Sequence, residues 1–285
     1  MDLRLVRMKR SLDGLSVGDG FGERFFWEDK GHIATGTLPA GPWYWTDDTA
    51  MALSIVSVLE EKGTIERDLL AERFGRRYAE DPGRGYGAGA HHLLERVSKG
   101  EHWSVVAPSL FGGMGSLGNG GAMRVGPLGA FFADEPVERI IEEARASAAP
   151  THAHFEGVAG AIGVALAAAY VARGRREGLL YHVIEHLPAS EVREGVVRAA
   201  HLSARTSVRK AVDVLGNGSR VSAPDTVPFA LWVASHRLSS FKEALWETVE
   251  ALGDIDTNCA IVGGIVGLSA EVPAEWLAAR EPLPG

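Results

Sequence analysis

The sequence predicts an all-α protein in which residues 1–285 form a single compact helical domain. Apolar residues recur at helical spacing along most of the chain, and no segment shows the period-2 alternation of a strand. No interval has the composition of a linker, and we find neither an internal repeat nor a low-complexity tract. With 46% hydrophobic and 23% charged residues, the chain has enough apolar material for a sizeable core.

The predicted helices follow one another with short breaks. The first has apolar residues at positions 51, 52, 55, 56 and 59, and we expect Thr49 to open it and Gly63 to close it. The same spacing predicts helices within 65–74 and 137–144. Further helices, each ended by Gly, Pro or a polar cluster, are expected at 190–203, 205–215, 226–237 and 241–252.

Two predicted helices are apolar on every side and should therefore be buried. The segment 157–172, GVAGAIGVALAAAYVA, is too short and too rich in Ala and Gly to span a bilayer comfortably. The segment 260–270 has the same character. The N-terminus has basic residues but no uninterrupted apolar stretch, which argues against a signal peptide. We therefore expect no membrane partner.

Charge and cysteine content restrict the partners and the compartment. A net charge of −8 argues against a general nucleic-acid surface, which would be basic. It leaves room for a small anionic ligand, because a bound metal ion would invert the local field. Cys259 is the single cysteine, so an intramolecular disulfide and a cysteine-based zinc site are both impossible. We expect a cytoplasmic protein, since a reducing compartment fits this composition.

Two acidic clusters about 200 residues apart carry the strongest chemical signal. They are WTDDT at 45–49 and DIDTN at 254–258, and each precedes a predicted buried helix. N-capping accounts for one Asp before a helix, and we expect Thr257 to cap the second helix. Two carboxylates beside a threonine exceed what a cap needs, and buried carboxylates need a partner. Such oxygen ligands favour a hard divalent cation, Mg²⁺ or Mn²⁺, and two clusters favour a pair of ions.

Three glycine-rich stretches, 18–46, 81–90 and 108–122, are predicted to be non-helical, and function concentrates in such loops. Six of the ten residues 112–121 are glycine, which would let backbone N–H groups approach an anion closely. The stretch lacks Lys and a Walker pattern, so it is no P-loop, and an ordinary flexible loop is the alternative. In the second stretch, Tyr86 could stack on a ring.

The histidines give weaker signals. His152 and His154 precede the buried helix at 157–172. A zinc pair there would need a third ligand, and none is evident, so contact with a bound ligand or helix capping is the preferred interpretation. His182 and His186 are expected on a helix surface.

Six segments, in chain order, resemble the ADP-ribosylglycohydrolase family. That family includes the dinitrogenase reductase activating glycohydrolases and the ADP-ribosyl-arginine and ADP-ribosyl-serine hydrolases. Each segment alone is a weak signal, but six in order across nearly the whole chain are specific. They are GDGFG at 18–22, TDDTAM at 46–51, RGYGAG at 84–89, GNGGAMR at 118–124, TH at 151–152 and DIDT at 254–257.

The resemblance implies an all-α fold around a centre of two metal ions, usually Mg²⁺, with ADP-ribose or an ADP-ribosylated substrate as partner. The implied metal ligands are Thr46, Asp47, Asp48, Asp254, Asp256 and Thr257. The implied contacts to the ligand are Gly85, Tyr86, Gly87, Gly89, Gly115, Ser116, Leu117, Gly118, Asn119 and His152.

The chain departs from the family pattern at two positions. In related enzymes a glutamate that gates the site and takes part in proton transfer follows eight residues after the first glycine of the first segment, and that position is Phe26 here. Glu23 or Glu28 could replace it through a shifted loop, and we assign Glu23. The family's usual Tyr in the phosphate loop is Leu117.

These assignments predict a Mg²⁺-dependent hydrolase that cleaves ADP-ribosyl conjugates at the anomeric carbon of the distal ribose. Its catalytic residues would be Asp47, Asp48, Asp256 and Glu23. The leaving group could be a protein Arg or Ser, an O-acyl group or phosphate. Two alternatives remain open: a phosphatase that acts on ADP-ribose-1″-phosphate with the same metal site, and a non-catalytic ADP-ribose-binding protein.

Overall fold

Every regular element in the described part of the chain is a helix, which confirms the predicted fold class. The computed structural model describes residues 2–27 and 31–284, without the side chain of Trp27. Isolated bridges, Trp43 with Arg280 and Gly118 with Ser222, are the β-type pairings found there.

The first half of the chain supplies nine of the described helices. They are α1 Leu3–Trp27, α2 Gly31–Thr35, α3 Asp47–Lys62, α4 Arg67–Glu80, α5 Ala88–Ser98, α6 Trp103–Gly113, α7 Gly120–Met123, α8 Gly126–Phe131 and α9 Val137–Ala148. The second half supplies the others. They are α10 Phe155–Ala172, α11 Leu179–His186, α12 Glu191–Ala200, α13 Val208–Leu215, α14 Ala223–His236, α15 Phe241–Glu250, α16 Ile255–Val266 and α17 Ala274–Ala279.

Helices from opposite ends of the chain, α1 and α16, form a closely packed central pair. A Cβ on Gly14 would lie 2.2 Å from the carbonyl oxygen of Gly263, and one on Gly18 would lie 2.1 Å from that of Cys259. A Cβ on Gly22 would lie 2.7 Å from the Cα of Asp256. Only glycine permits two helix backbones to approach this closely.

The prediction of a non-helical stretch at 18–46 is wrong for residues 18–27, which belong to α1, and for Gly31–Thr35, which form α2. Gly18 and Gly22 permit the close contact with α16, and Gly20 packs against Trp43, so these glycines do not form a turn. The loop predicted at 108–122 is also shorter than expected, because α6 continues to Gly113 and α7 begins at Gly120. Within α6 the backbone is kinked at Leu110, Phe111 and Gly112. In the stretch 81–90, α5 begins at Ala88.

Two predicted helix starts move by a few residues. Thr46, and not Thr49, caps α3, and its side chain accepts a hydrogen bond from the N–H of Asp48. Asp254 occupies the cap position of α16, so Thr257 lies inside the first turn and does not cap the helix. In both cases the acidic residues themselves begin the helix, where its exposed N–H groups favour negative charge.

The two all-apolar helices are buried, as predicted. Helix α10 is long and apolar enough to cross a membrane, but 78% of that apolar stretch is buried inside the fold. It packs against α7, α8, α9 and α14, which makes it a core helix of this structure. Every residue of α16 except Asp256 is buried.

Candidate active site

Three carboxylates from three helices converge beside the α1–α16 contact. Asp19 comes from α1, Asp48 from α3 and Asp256 from α16, and one oxygen of each lies within 4.8 Å of the others. Asp19 and Asp48 are buried, and Asp256 is half-buried. Carboxylate oxygens grouped in this way can share a divalent cation.

Asp19 links this group to the start of α3. It accepts hydrogen bonds from the backbone N–H and the hydroxyl of Thr46, at 2.9 and 2.8 Å, and from the N–H and hydroxyl of Thr49, the backbone bond at 3.1 Å. Burial raises the pKa of Asp19 to about 6, although these hydrogen bonds favour the charged form. Asp19 belongs to the GDGFG segment, but no role was predicted for it, since its only signal in the sequence is a lone acid between two glycines.

Asp48 has an oxygen that the protein leaves without a partner. Its Oδ2 lies 3.1 Å from the Thr46 hydroxyl, whereas its Oδ1 is buried and has no hydrogen-bond partner among the described residues. Burial, followed by the charges of Asp19 and Asp256, raises the pKa of Asp48 well above its usual range. A buried carboxylate oxygen without a donor is costly, and a hard cation would satisfy it. The donor set therefore fits Mg²⁺ or Mn²⁺.

The remaining predicted metal ligands surround these three carboxylates. Burial and the charges of Asp19 and Asp254 raise the pKa of Asp47 to about 8. Burial also raises the pKa of Asp254, whose Oδ2 accepts a hydrogen bond from Asn119 Nδ2 at 2.6 Å. The structure thus brings both acidic clusters together. Thr46 and Thr257 are buried within them.

The loop at 81–87 runs beside the first cluster. A Cβ on Gly85, whose φ is +85°, would lie 3.6 Å from Thr46 Cβ and 3.8 Å from Asp47 Oδ1. Arg84 holds this loop in place, because its guanidinium stacks 3.7 Å from the Trp45 ring centre and forms two hydrogen bonds with Glu281. The backbone of the loop is thereby fixed next to the acidic residues.

Tyr86 is packed into the protein instead of standing free in this loop. Its ring meets those of Tyr78 and His91 edge-on, with centroids 5.2 and 5.9 Å away. Burial raises the pKa of Tyr86. Gly87 begins the N-terminal turn of α5 and Gly89 lies inside it.

The second glycine loop lies over His152. Cβ atoms on Gly118 and Gly120 would lie 3.5 Å from His152 Nε2, and Gly115 adopts a φ of +73°. Within the loop, Ser116 Oγ accepts a hydrogen bond from the N–H of Gly118 at 3.1 Å. Leu117 is half-exposed, and its carbonyl accepts the N–H of Ala223 at 3.0 Å.

Arg124 connects His152 to the acidic residues. Its Nη2 donates to Thr151 Oγ1 at 2.8 Å, and this oxygen lies 2.7 Å from His152 Nδ1. Burial and the charge of Arg124 lower the pKa of His152 to about 3, so the imidazole is neutral. Burial lowers the pKa of Arg124 to about 9, while Asp47 opposes this shift. Arg124 is a counter-charge that sequence reasoning missed; its signal was an Arg within an apolar, glycine-rich motif.

Phe111 joins the two loops, and no sequence signal indicated it. Its ring lies beside Gly89, where an added Cβ would come within 3.0 Å of Phe111 Cζ. Its φ of +53° is a strained conformation for an aromatic residue, and such strain concentrates at functional sites. The side chain is 57% exposed, so an apolar ring faces solvent at the edge of the site.

The candidate gating positions lie at the end of α1. Glu23 follows Asp19 by one helical turn and is half-buried, and its catalytic role stays a prediction. Phe26 is 46% exposed on the same helix. Glu28, the other candidate, lies outside the described residues.

The chain is similar to proteins of one family over nearly its whole length. A family model described as ADP-ribosylglycohydrolase matches residues 2–283. The chain is 33% identical to ADP-ribosylhydrolase ARH3 of Xenopus tropicalis over 83% of its length and 77% of that protein. It is 31% identical to human ADP-ribosylhydrolase ARH3, over 82% and 73%. A solved structure titled ADP-ribosylglycohydrolase-related protein complex matches with a TM-score of 0.67 and 25% identity, over 99% of this chain and 94% of the other.

Proposed function

We propose a specific reaction for this chain, which belongs to the ADP-ribosylglycohydrolase family and is a hydrolase of ADP-ribosyl linkages. In this reaction the protein uses a Mg²⁺ centre to cleave the bond at the anomeric carbon of the distal ribose in an ADP-ribosyl conjugate. The single observation that carries this proposal is the unpartnered Oδ1 of Asp48 among three convergent carboxylates.

Asp19, Asp48 and Asp256 would hold one ion, and Thr46, Asp47, Asp254 and Thr257 would supply the further ligands of a dinuclear site. When bound, Mg²⁺ supplies Lewis-acid polarisation of a ribose oxygen and favours ionisation of water. Mn²⁺, which accepts the same oxygen ligands, could replace it.

The glycine loops and His152 bind and orient the ligand in this proposal. Backbone N–H groups of 85–89 and 115–119 would hold the diphosphate, so that binding energy remote from the reacting carbon positions it. Thr151 Oγ1 lies 2.7 Å from His152 Nδ1. In this proposal Thr151 donates to that nitrogen, which would place the proton of the neutral imidazole on Nε2, where it can donate to a ligand oxygen.

Proton transfer to and from the attacking water requires a carboxylate that is not held by the cations. Glu23 is the residue that we propose for this step, because α1 carries it one turn from Asp19. It would act as general base for the water that attacks the anomeric carbon. The carboxylates Asp47, Asp48 and Asp256 would hold the metal centre, and so position the reacting ribose.

A release assay across Arg-, Ser-, acyl- and phosphate-linked ADP-ribose tests the proposed reaction. Each conjugate is incubated with the full chain, first in chelator and then in excess Mg²⁺. Asp256→Asn should lose hydrolysis by orders of magnitude while the fold stays intact, and Asp213→Asn, an exposed acid outside the site, serves as the matched control. Full activity of Asp256→Asn in excess Mg²⁺ would exclude the assigned centre.

The phosphate-linked arm tests the second candidate, a phosphatase acting on ADP-ribose-1″-phosphate. Phe26 favours it, because this side chain occupies the position of the family's gating glutamate and cannot transfer a proton. Release from this compound alone would assign the phosphatase. Tight binding of ADP-ribose without turnover on any conjugate would instead identify a binding protein and overturn both reactions.

A further inference from the structure

A second set of metal-binding side chains lies on α11, a helix that contributes nothing to the acidic residues described above. His182, Glu185 and His186 are spaced i, i+3 and i+4, which places them on one face of the helix. One ligand atom from each lies within 4.8 Å of the others. We propose that these three residues bind a divalent transition-metal ion of the zinc type.

Both imidazole rings are held in place by other parts of the chain. His186 Nδ1 lies 2.9 Å from the carbonyl oxygen of His182, and a carbonyl only accepts, so the Nδ1 proton is donated there and Nε2 is left with its lone pair. Metal-binding histidines are oriented by this kind of bond to their other ring nitrogen. The His182 ring packs against Tyr170 of α10 at 4.8 Å, with planes tilted by 30°.

Tyr170 is itself fixed, because its hydroxyl donates to the carbonyl of Glu177. The two histidine rings also contact each other, with centroids 4.7 Å apart. Each histidine is half-buried and Glu185 is exposed. The three side chains therefore meet at the protein surface with one side open to solvent, where water can occupy the remaining coordination positions.

The ligand set selects the class of ion. Two imidazoles and one carboxylate suit Zn²⁺, Ni²⁺ or Cu²⁺, whereas Mg²⁺ prefers the all-oxygen environment of the acidic residues. The carboxylate of Glu185 supplies the one negative charge among the three ligand side chains, so its loss should weaken binding although it is the most exposed of the three.

Titration of Zn²⁺ into the full-length chain, followed by calorimetry, tests this proposal. Excess Mg²⁺ is present throughout, and the titration is repeated in the Asp256→Asn variant, so that zinc entering the acidic site is recognised. We expect one Zn²⁺ per chain on α11. His182→Ala, His186→Ala and Glu185→Gln should each weaken its binding by at least about tenfold, as the loss of even an outer-shell partner can do.

His201→Ala is the matched control. His201 is an exposed histidine at the C-cap of α12, and its Nδ1 lies 2.8 Å from the carbonyl of Val197, four residues earlier, but it belongs to no group of metal ligands in the described chain. It should leave zinc binding unchanged. Zinc affinity that survives the α11 substitutions, or that falls equally in His201→Ala, would overturn the proposal. Glu185→Gln keeps the test decisive if a histidine variant fails to fold, since this residue is exposed.

Discussion

Asp48 combines two opposing demands in one side chain. Its Oδ2 is bonded to Thr46 at the start of α3, and its Oδ1 is buried without a partner among the described residues, near Asp19 and Asp256. Without a cation, the ionised form is opposed by burial and by its neighbours' charges. The residue is therefore suited to binding a cation at the expense of the stability of the metal-free protein.

Asp48→Asn should separate these two effects. The amide oxygen can keep the bond to Thr46, while the new N–H₂ group can donate to the neighbouring carboxylates. We expect the metal-free variant to be at least as stable as the wild type, by about 1 kcal/mol if one hydrogen bond is gained. The rise in melting temperature that Mg²⁺ produces in the wild type should disappear. Thermal unfolding in chelator and in Mg²⁺ measures both.

The behaviour of Asp213→Asn provides the comparison, because this exposed acid is outside the site. It should respond to Mg²⁺ as the wild type does. An undiminished Mg²⁺ response in Asp48→Asn would remove this residue from the proposed ligand set.

Glu23→Gln tests proton transfer without disturbing the cation site. If Glu23 is the general base, the variant should lose about 10²- to 10⁴-fold in kcat. KM and the melting-temperature rise with Mg²⁺ should stay unchanged, since Glu23 is not among the proposed ligands. Glu28→Gln is the parallel variant, and a loss of kcat confined to it would transfer the role to that position.

The packing of α1 on α16 determines whether Asp19 and Asp256 can face each other. Two neighbouring glycines of α16 differ sharply in their surroundings. A Cβ on Gly263 would lie 2.3 Å from the carbonyl oxygen of Gly14, whereas one on Gly264 would meet nothing closer than 3.4 Å, at Leu15 Cβ. The first position requires glycine, and the second has room for a methyl group.

Gly263→Ala should therefore destabilise the protein by about 1–3 kcal/mol, because the two helix backbones must separate. Separation also moves Asp19 away from Asp256, so the affinity for Mg²⁺ should fall. Gly264→Ala, in the same helix, should be neutral or stabilising, since Ala is the better helix former by about 1 kcal/mol. Urea unfolding of both variants measures the difference. If both variants lost the same free energy of unfolding, close contact between α1 and α16 would not be the reason for glycine at position 263.

Whether a helix could be predicted from the sequence depended on the contacts that its residues make in the fold. Helix α10 and helix α16 were predicted as buried because they are apolar on every side. Helix α1 was not predicted, and its residues 18–27 were assigned to a non-helical stretch, because Gly18, Gly20 and Gly22 are typical of a turn when only neighbours in sequence are considered. Gly18 and Gly22 in fact contact α16 more than 200 positions away, and Gly20 contacts Trp43; patterns among sequence neighbours cannot report such contacts.

The candidate site shows the same limit. The paired acids at 47–48 and at 254–256 were conspicuous because two carboxylates beside a threonine exceed what an N-cap needs. Asp19, Arg124 and Phe111 each stand alone in sequence, and they gain a role only when α1, α7 and the kinked end of α6 are placed around the site. Spacing in the sequence can therefore identify clusters of functional residues, whereas the role of a single isolated residue becomes visible only in the folded structure.

At the scale of the molecule, the candidate metal site is formed by the whole chain. Asp19, Asp48 and Asp256 lie on α1, α3 and α16, so they converge only in the folded state. A cation held by all three binds the folded protein and not the unfolded chain. Mg²⁺ at about 100 times its Kd should therefore raise the free energy of unfolding by about 2.7 kcal/mol, without a change in the urea m-value.

The free energy of unfolding should depend on pH, and the pKa values of the clustered carboxylates determine whether it rises or falls. In the metal-free fold the pKa of Asp19 is raised to about 6 and that of Asp47 to about 8, and those of Asp48 and Asp256 are also raised. The folded state thus binds more protons than the unfolded chain, whose carboxyls titrate near pH 4. The stability contributed by these groups is complete below about pH 4 and is lost as the pH rises through about 6 to 8.

Mg²⁺ replaces the protons, so it should cancel this loss. Urea midpoints measured from about pH 5 to pH 8 should fall with pH in chelator and stay level or rise in saturating Mg²⁺, so the two profiles diverge toward high pH. Groups elsewhere in the protein affect both profiles equally and leave the difference unchanged. In Asp48→Asn the divergence should shrink, because one raised carboxyl is removed and the cation is no longer held. Parallel profiles in the wild type would mean that Mg²⁺ does not bind these carboxylates.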